Sequence, residues 1–162
     1  MRTGKLSSPG DEGEHMDERV KRLKTPEECE GFIKNVQLKH PDLAQQARRR
    51  KVELLASAYG GAMNEAEIEA LQAIYAYEEV LFARHGRKTH ASRTWQMVKR
   101  HGIIEAVERA VNRKKETIGY TALVEMGMQD FAFEAVVMRH PELFSQGAVA
   151  RSKQRLREWT LT

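Results

Sequence analysis

Between residues 64 and 85 the apolar positions fall at three- and four-residue steps: Ile68, Leu71, Ile74, Tyr75, Leu81 and Phe82. At about 100° per residue these positions share one side, so the spacing predicts a long, well-buried helix over 65–84 whose exposed positions are acidic. Asn64, with Glu67 three residues on, supplies its N-terminal cap. The same period recurs in Ile103, Ile104, Val107, Ala110 and Val111, and again after Ser145 in a narrow stripe of Val149, Ser152, Leu156 and Trp159. No segment sustains apolar–polar alternation. The pattern predicts an all-α chain, a single compact multi-helical domain of about seven or eight helices.

Local signals mark where these helices start and stop. Thr25-Pro26-Glu27-Glu28 combines a capping hydroxyl, a first-turn proline and carboxylates that complement the helix dipole, so a helix runs from there to about Lys39. His40-Pro41 breaks the chain and restarts it, because proline disfavours helical geometry in the residue before it yet suits a first turn. The next helix, about 42–58, stops at Tyr59-Gly60-Gly61. Ser92 is read as the cap of a helix reaching Arg100 or His101. Two short helices, Thr117–Met126 and Gln129–Arg139, are separated by Gly127. Residues 1–24 are polar and aperiodic and are read as a flexible tail before a helical domain over 25–162. Met16 reads as a native start, the preceding residues being an upstream extension or a cloning remnant.

One internal echo stands out. Leu38-Lys39-His40-Pro41-Asp42-Leu43 and Met138-Arg139-His140-Pro141-Glu142-Leu143 match in residue type at every position. Two copies fall short of a stacked repeat array, and the shared motif is read as corner chemistry between helices.

Composition narrows the class. The chain has 162 residues, 41% hydrophobic and 31% charged, an ordinary balance for a folded domain. No apolar run is long enough to span a bilayer, the N-terminus lacks the apolar centre of a secretory signal, and the one cysteine, Cys29, has no internal partner. These features point to a cytoplasmic protein with no membrane contact. Nothing near Cys29 would lower its pKa, so it is read as a small buried residue.

Charge changes the picture at residues 86–102, GRKTHASRTWQMVKRHG. This stretch carries five Lys or Arg, two His, one Trp and no carboxylate in a chain of net charge +4. On the helical projection Arg93, Gln96 and Arg100 cluster with Lys99 beside them, while Trp95 and Val98 face inward. Arg84, Arg87 and Lys88 extend the patch. Such a surface neutralises phosphates irrespective of base sequence. The order helix, Arg100-His101-Gly102, helix makes 86–113 resemble a helix-turn-helix. The second helix, however, would show a groove Glu105, Glu108, Arg109 and Asn112, which is poor electrostatics for standard docking. Arg48-Arg49-Arg50-Lys51 and the rows Arg151/Arg155 and Lys153/Arg157 are further basic surfaces, which join into one groove if the echoed helix pairs flank the centre.

Other chemistries find less support. His85, His90 and His101 do not match zinc spacings, Gly60-Gly61 lacks the rest of a phosphate loop, and Glu65, Glu67, Glu69, Glu78 and Glu79 form no recognisable nuclease pattern. The sequence therefore assigns no catalytic residue, no metal and no cofactor. Its first reading is a small non-enzymatic DNA- or RNA-binding protein that contacts phosphates through Arg84, Arg87, Lys88, Arg93, Gln96, Lys99 and Arg100. The alternatives are a helical protein–protein adaptor or homodimer, using the Met- and Phe-rich segment 119–138 or the acidic helix, and a nucleic-acid-processing enzyme.

Overall fold

Helix formation follows the apolar period, and its strongest instance becomes the centre of the molecule. The computed structural model describes residues 16–62, 64–113 and 118–160, and every regular element among them is helical. In chain order these are α1 (Glu18–Lys21), α2 (Pro26–Val36), α3 (Pro41–Ala58), α4 (Glu65–His85), α5 (Ser92–His101), α6 (Ile103–Val111), α7 (Ile118–Glu125), α8 (Phe133–Arg139) and α9 (Gln146–Thr160). Short 3-10 turns lie at Gln129–Phe131 and Pro141–Leu143. The all-helical expectation holds.

Helix α4 touches α3, α6, α7 and α8, and its buried positions run around its circumference. Four of them, Ala66, Ala70, Ala73 and Ala76, are alanines, which let neighbouring helices come close. On one side Val80 and Ala76 meet Val52 of α3, Leu123 of α7, Met128 and Phe131. On another, Ala70 meets Val107 and Val111 of α6, Val137 of α8 and Ala148 of α9. A third cluster joins Ile74 to Val98 of α5 and Ala106 of α6. Full burial of each larger side chain stabilises the fold by about 1.5–3 kcal/mol.

The start signals of α2 and α4 work as the sequence indicates. Thr25 Oγ1 accepts the Glu28 N–H at 3.1 Å, and Asn64 Oδ1 accepts the Glu67 N–H at 2.9 Å. Gly86, at φ +68°, closes α4 in the left-handed region. Other boundaries move. Helix α2 ends at Val36 rather than Lys39, and the expected helix over 129–139 is a 3-10 turn and a helix separated by the extended backbone of Ala132. Within the expected tail, residues 1–15 lie outside the described residues, as does Thr117. Asp17, however, caps α1, and Val20 is fully buried. The Asp17 N–H donates to Gln46 Oε1 at 2.7 Å, tying this turn to α3.

The acidic residues of α4 depart most from expectation. Glu69 and Glu79 are buried at 5% and 4% exposure, not solvent-facing. Glu79 receives Lys51 Nζ at 2.5 Å, and the same ammonium lies 3.1 Å from Glu30 of α2. Glu69 pairs with Arg139 at 3.1 Å and with His140. A third buried pair, Arg155 with Glu134 at 3.1 Å, joins α9 to α8, and Arg155 also donates to the Val111 and Arg113 carbonyls. These groups can stay charged inside because each faces an opposite charge.

Candidate nucleic-acid interface

The basic segment begins where Gly86 turns the chain out of α4, and a carboxylate of that same helix fixes its course. Glu78 Oε2 accepts the Ala91 N–H at 2.7 Å and the Trp95 Nε1–H at 3.1 Å, and it lies 3.0 Å from His90 Nδ1. One glutamate thus pins both the loop and the first turn of α5. The N-cap is Ala91, which has no capping side chain, so the expected cap Ser92 is instead the first helical residue. Trp95 packs inward as the period indicates, stacked near Tyr59 and His90 with ring centroids 5.6 and 6.0 Å away. Tyr75 lies tilted against it at 5.2 Å, and burial, helped by the Glu78 charge, raises the Tyr75 phenol above its ordinary pKa.

With Trp95 and Val98 held inside, the opposite flank of α5 faces water. Arg93, Gln96, Lys99 and Arg100 are exposed, as is Arg87 in the loop. Among the described residues no hydrogen bond or ion pair engages the side-chain cations of Arg87, Arg93, Lys99 and Arg100; the Arg87 carbonyl alone accepts the Thr89 hydroxyl, at 3.4 Å. The other two predicted cations differ. Arg84 pairs with Glu125 of α7, and Lys88 lies 3.6 Å from Glu30 while remaining 76% exposed. Burial pushes the Glu30 carboxyl up, but Lys51 and Lys88 outweigh it and hold the group below its ordinary pKa. The patch is therefore four bare cations and Gln96, bordered by two neutralised ones.

The other basic stretches do not extend it. Of the run on α3, Lys51 is buried, Arg49 grips Asp130 at 2.7 Å, and Arg50 donates to the Leu23 carbonyl at 3.1 Å and lies 3.6 Å from Glu53. Burial lowers the Arg48 guanidinium below its ordinary pKa, with Glu79 opposing. On α9, Arg155 is buried and Arg151 donates to the Asn112 carbonyl. The turn is also shorter than the motif it resembles. Helix α5 continues through His101, so only Gly102, at φ +85°, separates it from α6, against the three or four residues of a helix-turn-helix. Glu108 of α6 does not face a groove either, because Ser145 ahead of α9 donates to it through N–H at 2.7 Å and Oγ at 2.9 Å. Helix α6 is covered by α4, α8 and α9, leaving α5 as the outer element.

Comparison with protein families, with curated proteins and with solved structures finds no match for this chain. The site must be read from its own geometry.

Elsewhere, burial drives the Cys29 thiol up to about 11, which leaves it protonated and unreactive at neutral pH. Among the described residues no three His, Cys, Asp or Glu side chains gather as metal ligands, and no helix is long and apolar enough to cross a membrane. Within 119–138, Met128 and Phe131 are core, while Met126, Phe133 and Met138 are half-buried. The residues that sequence reasoning missed are Glu78 and Tyr59. Their distance in sequence from α5 hides them, although a glutamate on the apolar side of a helical period is a signal that can be sought.

Proposed function

We propose that this is a cytoplasmic, non-enzymatic protein that holds DNA or RNA by its phosphate backbone, through Arg87, Arg93, Lys99 and Arg100 with Gln96 among them. One observation carries the reading: four exposed cations share a single helix flank and its leading loop, and no described carboxylate neutralises them. Helix α5 is rigidly seated by Glu78 and Trp95, so its charges present a fixed comb rather than a floppy tail. Phosphate contacts of this kind position a nucleic acid without reading its bases. Arg84 and Lys88 border the comb and contribute less, because a ligand phosphate must compete with Glu125 and Glu30.

The test is fluorescence anisotropy with a random-sequence duplex and a single strand over a salt series. Four neutralised phosphates give a slope of roughly −3 to −4 in log affinity against log salt for duplex. Arg93→Glu/Arg100→Glu should flatten that slope and abolish binding at moderate salt, with helicity unchanged. Absence of binding to either nucleic acid at low salt would sink the proposal.

A further inference from the structure

A cavity of about 630 Å³ opens beside α5, between α4, the loop leading to α5, the end of α6, and the α7–α8 region, with Arg93 at its edge. Its size falls within the roughly 300–1,000 Å³ typical of small-molecule sites. The walls are apolar: Tyr77 and Leu81 of α4, Met97 of α5, Tyr120 and Leu123 of α7, and Phe133 of α8. Five elements meet here without closing the space, because the α4 and α6 positions that face it include the small side chains Ala73 and Ala110.

The charges lining the cavity have one available sign. Arg93 and Arg113 reach it from exposed positions, and neither has a carboxylate partner among the described residues. The Arg113 side chain makes only a 3.5 Å contact with Met97 Sδ. Among the described residues the one lining carboxylate, Glu134, is buried and held by Arg155 at 3.1 Å. Ser92 and Thr94 line the same wall in the first turn of α5, whose N-cap Ala91 supplies no side-chain acceptor. The two exposed guanidinium groups favour an anion here, and the Ser92 and Thr94 hydroxyls can donate to one.

We infer that this cavity binds a small amphipathic organic anion, its aliphatic or aromatic body seated between Tyr77, Leu81, Met97 and Phe133 and its carboxylate held by Arg93 and Arg113. The inference shares Arg93 with the proposed function but does not depend on it, and it is tested without nucleic acid.

Isothermal titration of the full chain with decanoate, and separately with decyltrimethylammonium, decides it. Decanoate should bind saturably, one molecule per chain, with the ammonium analogue at least about tenfold weaker. Arg93→Glu/Arg113→Glu should lower decanoate affinity by about tenfold or more without loss of helicity. Met97→Trp should remove binding by filling the space. Thr94→Trp, at the half-buried edge of the same wall, gives the same reading should the first variant unfold. Equal binding of the two surfactant ions, full decanoate affinity in the double variant, or no saturable decanoate binding below its micelle-forming concentration overturns the inference.

Discussion

Two stretches of this chain are strongly basic, with four cations on α3 and five between residues 86 and 102, and the fold treats them differently. On α3, Arg48, Arg49, Arg50 and Lys51 are half-buried or buried, and carboxylates from α2, α3, α4 and the 3-10 turn after α7 meet the last three. Around α5, Arg87, Arg93, Lys99 and Arg100 meet none among the described residues. Residue type does not separate them. What differs is position: α3 packs against both α2 and α4, whereas Arg93, Gln96, Lys99 and Arg100 on α5 stay exposed among the described residues. A run of basic residues is a surface only where the fold leaves it uncovered, and the first run serves stability while the second is available for binding.

The largest way to break this contrast is Lys51→Ala. It leaves Glu79, at 4% exposure, charged and without its closest partner, so unfolding in urea should show a loss of about 3–5 kcal/mol. Replacing both groups with apolar residues of similar size, Lys51→Met with Glu79→Leu, should recover most of that loss, because no charge then stays buried alone. A Lys51→Ala cost below about 1 kcal/mol would mean that water reaches the pair and that the α3 run behaves as a surface patch.

The two echoed corners sharpen the contrast at smaller scale. His40 and His140 have nearly the same backbone, φ −135° and −130°, each followed by proline. Yet His40 is exposed, while His140 bonds to Glu69 beside Arg139. His140→Ala should cost about 1–2 kcal/mol and His40→Ala less than about 0.5 kcal/mol. Equal costs would show that the motif acts through its backbone alone.

This difference marks the limit of what was legible in the sequence. Helix positions and the caps at Thr25 and Asn64 could be read because their signals lie within a few residues of one another. The fate of a charge could not, because its partner is remote: Lys51 and Glu79 are 28 residues apart, and His140 and Glu69 are 71. The same reason made Ser92 look like a cap. Glu78, 13 residues earlier in the chain, accepts the Ala91 N–H, and the helix begins at Ser92 itself. The inward faces of α5 were legible because Trp95 and Val98 keep the helical period. The bareness of its outer cations was not, since only the arrangement of α2, α4 and α7 shows that their carboxylates stop at Arg84, Lys88 and His90.

Acid titration probes the junction of the two runs, where Glu30 lies between Lys51 and Lys88. Its carboxyl is held below its ordinary value of 4.5 in the folded chain. The fold therefore binds this proton less tightly than the unfolded chain does. The resulting stability is full above about pH 4.5 and is lost as pH falls through the lower folded value. Glu30→Gln should remove that share of the acid-side decline in Tm. An unchanged acid limb would show that Lys51 relies on Glu79 alone.

The smallest expected effect is the one that isolates the second run. Arg93→Ala/Arg100→Ala should move Tm by less than about 2 °C, since neither side chain has a described partner to lose. The direction is informative as well. Like charges on one flank repel each other, so removing two of them relieves repulsion, and any shift should be upward at low salt. At about 0.1 M salt the screening length is near 10 Å, and the shift should shrink toward zero. A clear drop in Tm would mean that these guanidinium groups hold the fold together as Lys51 does. The two runs would then be alike, and the case for α5 as a phosphate-binding surface would lose its physical basis.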